Sequence, residues 1–319
     1  MGGILAIGSV YFVDHSGCRS FSLERPIQEK PEMSVQSIPE SRKRVVLLFG
    51  GDVQLDRYIR SVVLKRGWDF LLSNSLRQEL QTADLVIANL EGPITNASSV
   101  SLSSKEGEHD NYIFTFPPTT GIFLHEENIR LVNLGNNHIL NFKEEGVKET
   151  KQYLSHAGVQ FFGSPLTGDD RMLIQDVGDT KVAFVNYNEF IFQGKEKALA
   201  DIASVRGKAD FVVLYTHWGK EYVPALASVK TLAHEFVDAG TDLIIGSHPH
   251  VVQEKEEYRG KMIYYSLGNF IFDQYFRPET KSGLLVKVTI DPITKSIQTE
   301  ELPITLSSTG QTGLLSSKK

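Results

Sequence analysis

The chain has 319 residues, 41% hydrophobic and 23% charged, with 33 Lys and Arg against 39 Asp and Glu and a net charge of −6. That length can bury a sizeable core as one large α/β domain or two smaller ones. The acidic balance excludes the basic field that a nucleic-acid partner needs. Cys18, the one cysteine, excludes a disulfide framework and thiolate zinc sites.

Taken from its start, the chain opens on ILAIGSVYFV (4–13), an apolar run shorter than the ~20 residues that cross a bilayer and without the positive flank of a signal peptide. It reads as the remaining half of a truncated anchor or h-region, which places the protein outside the cytoplasm, free or held at a membrane, with a cytoplasmic home still open. A lipidated Cys18 would call for an aliphatic residue where His15 stands. The polar, proline-bearing stretch that follows has no period, so residues 1–43 are expected to be an apolar segment plus tether. The folded domain is expected over 44–306, and a disordered tail over 307–319.

Within that domain, short β-rich runs alternate with helical patterns. The runs are VVLLF (45–49), LVIANL (85–90), LVNL (131–134), VAFVNY (182–187), FVVLYT (211–216) and DLIIG (242–246). Between them, Leu72, Leu76 and Leu80 recur at helical spacing, KEEGVKETKQYLSHAG ends at Gly158, and SVKTLAHEFVDAG runs from an N-cap at Ser228 to Gly240. Continuous apolar strands separated by helices imply a sheet covered on both faces. The last third loses its helices: 261–273, 283–291 and 296–306 read as strands that extend the sheet antiparallel or form a second one. Residues 96–112 form a long polar loop, a candidate lid.

Ligand-type residues follow these runs. Asp52 comes after the first, Asn89 and Glu91 at and after the second, Asn136, Asn137 and His138 after the third, His217 after FVVLYT, and His248 and His250 after the last. Each alone has a bland reading, as turn chemistry or a packed imidazole. Five strand ends together, at the edge where open α/β sheets place their sites, point to one centre. Carboxylate, amide oxygen and imidazole without thiolate suit a hard-to-borderline divalent ion: Mn, Fe, Zn or Mg, one ion or two. Trp218, Glu221 and Tyr222, with Gln54, Asn89, Asn269 and Asp273, are candidates to line the substrate side. His15, His109, His125, His156 and His234 lack such context.

The blocks GGDVQLDR, NLEGPIT, GNNH, THWGKEY, GSHPHVVQ and YYSLGNFIFDQ, in that order over about residues 44–290, closely resemble the bacterial capsule synthesis CapA family, which includes PgsA-like poly-γ-glutamate biosynthesis proteins. That family in turn resembles calcineurin-like metallophosphoesterases. The resemblance implies an α/β fold, a four-layer α/β/β/α sandwich of the metallo-dependent phosphatase type with metals at strand ends. By position it makes Asp52 and His250 first-metal ligands, Glu91 the bridging carboxylate, Asn137, His217 and His248 second-metal ligands, and His138 the catalytic histidine that assists the leaving group. Two residues depart from the pattern: Gln54 stands where phosphoesterases have a histidine, and Asn141 where the capsule family has an aspartate.

Two functions follow as expectations. One is a metal-dependent hydrolase of phosphoesterase type acting on a phosphoester or an anionic envelope polymer. The other is a non-catalytic assembly or export factor that binds such a polymer beside membrane-bound capsule or poly-γ-glutamate synthesis partners. The retained His138 favours the first reading, and Gln54 the second.

Overall fold

The computed structural model describes residues 43–315 except 167 and 169; the expectations for His15, Cys18 and the segment up to 42 lie outside these residues. In chain order the elements are β1 (Val45–Val53), α1 (Arg57–Arg66), α2 (Asn74–Leu80), β2 (Leu85–Leu90), α3 (Thr120–Glu126), β3 (Ile129–Asn133), α4 (Lys143–His156) and β4 (Gln160–Phe162). Then come β5 (Met172–Val177), β6 (Thr180–Asn188), α5 (Gly194–Val205), β7 (Phe211–His217), α6 (Ala227–Asp238) and β8 (Leu243–Ser247). The final strands are β9 (Lys255–Tyr258), β10 (Lys261–Tyr264), β11 (Asn269–Ile271), β12 (Ser282–Ile290), β13 (Ile297–Leu306) and β14 (Thr312–Leu314).

The strands build two sheets. The larger runs β14-β13-β12-β1-β2-β3-β4, with β11 paired to β1; the smaller runs β5-β6-β7-β8-β10-β9. Neighbours from β1 to β4 are parallel, as are those from β6 through β8 to β10. Because side chains alternate along a strand, each sheet is apolar on two faces. Leu48, Val86 and Val132 pack outward against Ile59, Leu76, Phe123 and Leu154 of α1 to α4. Leu47, Phe49 and Ile87 face inward onto Phe184, Val213 and Ile245. Val185, Val212, Leu214 and Ile244 carry Ile202 and Phe236 of α5 and α6 on the far side. Three apolar layers therefore separate four structural ones, an α/β/β/α sandwich. Burying each Leu, Ile or Phe side chain contributes about 1.5–3 kcal/mol, before the entropy of ordering is subtracted.

In the last third β12 and β13 extend the first sheet antiparallel, one of the two readings the sequence left open, while the second sheet is built mainly from the chain between β5 and β10. The sandwich differs from the sequence expectation in two places. Ser228 lies inside the first turn of α6, whose N-cap is Leu226; Leu72 precedes α2, whose cap is Ser73, accepting a hydrogen bond from Leu76 N. Of the tail expected to be disordered over 307–319, residues 307–315 turn and return as β14 on β13, where Thr312 Oγ1 donates to Phe270 O at 2.8 Å, and 316–319 lie outside the described residues. Polar, glycine-containing composition hid a strand that has only an edge to pair with.

Candidate metal centre

Parallel register brings the strand ends to one lip. Asp52 stands opposite Asn89 and Asn89 opposite Asn133; in the other sheet Asn188 faces His217 and His217 faces Ser247. The segment after β8 then reverses direction through two left-handed non-glycine residues, His248 (φ 97°) and His250 (φ 57°), on either side of Pro249. Such backbone costs roughly 1–3 kcal/mol per residue and persists where surroundings over-determine it. Here it turns two imidazoles towards the carboxylates of the facing sheet.

Glu91, His248 and His250 place one ligand atom each within 4.8 Å of one another, and all three are buried. Asp52 lies beside them, accepting from Asn89 Nδ2 at 2.8 Å and from the His248 backbone N–H at 3.1 Å. His250 Nε2 is 3.6 Å and His138 Nε2 4.0 Å from Glu91 Oε1. His217 Nε2 stands 2.9 Å from Asn137 Oδ1, and the His217 and His248 rings are 4.8 Å apart. Asp52, Glu91, Asn137, His138, His217, His248 and His250 thus occupy one lip.

Hydrogen bonding orients the imidazoles. Asn269 directs its amino group at Thr280 O, Gln274 Oε1 and His250 O, so its Oδ1 accepts from His250 Nδ1–H at 3.0 Å. Asn141 Oδ1 accepts from Phe114 N at 2.8 Å and from His138 Nδ1–H at 3.2 Å. Both rings therefore turn bare Nε2 lone pairs towards Glu91. Ser247 Oγ donates to Thr216 O at 2.7 Å and stands 3.0 Å from His217 Nδ1, which Asn89 Nδ2 approaches at 3.3 Å, while His217 Nε2 pairs with Asn137 Oδ1. Neither Glu91 oxygen has a hydrogen-bond donor, and His248 Nδ1 has no partner. Buried lone pairs converging without a donor are unfavourable unless a cation or proton joins them. The donor set fits a divalent ion.

The electrostatics agree. Burial, then the Asp52 carboxylate beside it, raise the Glu91 pKa well above the carboxylate range, with Arg57 opposing them. Burial and neighbouring imidazoles lower His248 to about 3, although Asp52 pulls the other way. Burial lowers His138 to about 4, and it holds His217 well below its usual value. The imidazoles are thus unprotonated at neutral pH, as ligation requires.

Among the substrate-side candidates, Glu221 lines an adjoining cavity of about 670 Å³ together with Arg57, Asn111, Tyr222 and Asp273. Trp218 does not: its ring is buried in the outer core with α6, and its Nε1–H donates to Tyr265 O at 2.8 Å. Period two explains this, since His217 and Trp218 must point to opposite sides. Asn89 and Asn269 are fully buried and hold Asp52 and His250 rather than a substrate. Gln54 is fully buried with both amide atoms unpartnered. Asn136 braces the turn, its Oδ1 accepting from His138 N and Ile139 N. Sequence reasoning missed Phe190, whose half-exposed ring sits 4.6 Å from the His248 ring, and Arg57; neither carries a periodic or spacing signal.

Fold and site together define a four-layer α/β/β/α protein with a buried carboxylate–imidazole centre at its strand ends. More narrowly, the chain belongs to the family described as bacterial capsule synthesis protein PGA_cap, whose profile matches residues 46–274. It is 28% identical to the capsule biosynthesis protein CapA of Bacillus anthracis over 77% of its own length and 64% of that relative's. It is 27% identical to the PGA biosynthesis protein CapA of Bacillus subtilis (strain 168), covering 74% of this chain and 66% of the relative. The chain thus spans about two thirds of the length of these relatives. A crystal structure of a hypothetical protein from Thermus thermophilus aligns with 81% of this chain and 99% of its own, at 20% identity and a TM-score of 0.48.

Proposed function

We propose that this chain is a capsule or poly-γ-glutamate biosynthesis protein of the cell envelope whose strand-end centre is a metal-dependent hydrolase site of phosphoesterase type. One observation carries the reading: Glu91 is fully buried with no donor to either oxygen, while imidazole lone pairs face it. Asp52, Glu91, His248 and His250, with Asn137 and His217 beside them, would hold one or two divalent ions. A divalent ion there supplies Lewis acidity to a phosphoryl or carbonyl oxygen and activates a nucleophile. His138, held neutral with its Nε2 bare, is suited to take a proton at that atom before returning it to a leaving group. The substrate would be a phosphoester or an anionic envelope polymer, and the partners membrane-bound synthesis proteins. Among the described residues no helix is long and apolar enough to cross a membrane.

A second reading, a non-catalytic factor that binds the polymer through its metal, draws on Gln54, a buried amide where phosphoesterases have an imidazole. Metal analysis of the purified chain beside a hydrolysis screen of phosphoesters and γ-glutamyl polymers separates the two. Stoichiometric metal with turnover supports the hydrolase; metal without turnover on any substrate supports the binding factor; no metal uptake defeats both.

A further inference from the structure

Arg57 stands between the carboxylate–imidazole centre and the cavity of about 670 Å³ that adjoins it, and among the described residues it is the one cation that lines this cavity. The first residue of α1, it has a φ of 48°, left-handed backbone that a non-glycine residue rarely adopts. Its side chain is 12% exposed and is held on every side. Nε donates to Asp273 Oδ2 at 3.2 Å, Nη2 donates to Asp273 Oδ1, and Nη1 donates to Asn111 Oδ1 at 3.3 Å. The guanidinium lies 5.0 Å from the centroid of the Phe114 ring and 5.5 Å from that of Phe272. Those two rings in turn pack on the centre, 4.4 Å from the His138 ring and 4.8 Å from the His250 ring.

A guanidinium has five N–H groups, and these bonds engage three of them, so two remain available. The other charged groups lining the cavity are Glu106, Glu221 and Asp273, all acidic. An anion entering there is repelled by these carboxylates and finds its cationic partner in Arg57. Through Phe114 and Phe272 the guanidinium is one ring away from His138 and His250, on the side of the cavity nearest the centre. Aromatic walls and a carboxylate fork fix the plane of the guanidinium, the arrangement that recognises an oxyanion through paired N–H groups rather than through a diffuse charge.

We propose that Arg57 is the group that anchors the substrate's oxyanion, phosphoryl or carboxylate, against the centre, with Asp273 and Asn111 setting its plane and Asp273 tempering its strength. This rests on the reading of the centre as a divalent-metal hydrolase site. It makes opposite predictions for the two partners of one ion pair. Removing Arg57 deletes the anchor, whereas removing the charge of Asp273 frees the guanidinium from a competing carboxylate.

The experiment is calorimetric titration of the manganese-loaded full chain with two probes, inorganic phosphate and L-γ-glutamyl-L-glutamate, with metal content and melting temperature recorded for each variant. Arg57→Gln is expected to weaken binding at least tenfold at unchanged metal content. Asp273→Asn is expected to tighten it severalfold, and Arg57→Lys, which keeps the charge but not the fork, to fall between Arg57→Gln and the wild type. Dependence seen with phosphate assigns a phosphoryl group, and dependence seen with the dipeptide a carboxylate; either supports the anchor. Equal weakening in Arg57→Gln and Asp273→Asn, with lowered melting temperatures, would make the pair a structural strap and overturn the proposal. So would metal uptake with oxyanion binding that ignores Arg57, or no binding of either probe. Failure of the wild-type chain to take up manganese removes the hydrolase reading first and the anchor with it.

Discussion

Glu91 keeps a carboxylate out of water with no donor to either oxygen, so the centre without a cation is penalised. Replacing it with the neutral amide should therefore stabilise the metal-free protein while removing a ligand. For Glu91→Gln we expect a gain on the order of 2 kcal/mol at pH 8 together with loss of the manganese-dependent rise in melting temperature. The sign with pH follows from the raised folded-state pKa. The cost of the ionised carboxylate is full above that value and fades as pH falls towards the unfolded value of 4.5, so the advantage of the amide shrinks in acid. Denaturant titrations of both proteins with and without manganese check this; an amide variant less stable than wild type at pH 8 would refute the buried-charge account. His248 and His138 divide differently. His248→Ala removes a lone pair within 4.8 Å of the other ligand atoms and should lose metal and turnover together. His138→Ala should keep its metal and lose about 10²–10⁴-fold in rate, the usual worth of a positioned proton-transfer group. Metal stoichiometry measured beside turnover distinguishes them, and equal metal loss in both would make His138 another ligand.

At the scale of elements, the site depends on how closely β1, β11 and the turn after β8 approach. A Cβ on Gly51 would lie 1.9 Å from Gly268 O, the carbonyl that accepts the Asp52 N–H at 3.1 Å. Backbone cannot retreat there without separating β1 from β11 and moving Asp52. Gly51→Ala should cost about 3 kcal/mol and weaken metal binding, whereas Gly207→Ala, where nothing lies within 4 Å, should be neutral or slightly stabilising. Urea midpoints of the two variants decide it, and a Gly51→Ala protein as stable as wild type would mean that the strands are not so tightly docked. The same elements show what a sequence displays. Runs such as FVVLYT and DLIIG announce themselves because both faces of a central strand are apolar, and the polar residue that ends each run is then conspicuous. β4 (three residues), β5 with its partly exposed pattern, and charged β9 (KEEY) carry no such contrast. Trp218 misleads for a related reason. Adjacency in sequence to His217 suggests a shared pocket, yet neighbours on an extended chain face opposite ways. Arg57 closes the block GGDVQLDR, yet its role is not legible there because its place is fixed by Asp273, 216 residues further on.

Across the whole molecule, the ligands come from both sheets: Asp52, Glu91 and Asn137 from the larger, His217, His248 and His250 from the smaller. The centre consequently couples sheet packing to proton and metal balance. His138, His217 and His248 have depressed folded-state values, so they stay neutral in the native protein while the unfolded chain protonates them below about 6.5. Their contribution to stability is present above that pH and lost as pH falls. Glu91, with its raised value, acts in the opposite direction. Below about pH 6.5 the metal-free protein should therefore take up protons on unfolding at the three imidazoles and lose stability as pH falls, with Glu91 partly offsetting the loss. Binding a divalent ion changes the sign of the Glu91 contribution, because ligation requires the carboxylate ionised. Its proton then has to be displaced, so metal affinity should weaken as pH falls through the raised Glu91 value, whereas His248, lowered to about 3, offers no competing proton there. At a hundredfold excess over its dissociation constant the ion should add about 2.7 kcal/mol, a gain that chelation reverses. Urea denaturation over pH 4.5–8 with and without manganese measures both slopes. A metal-free stability that stays level below pH 6.5 would mean that the three imidazoles are not buried neutral, and the lone-pair account of the centre would fail with it.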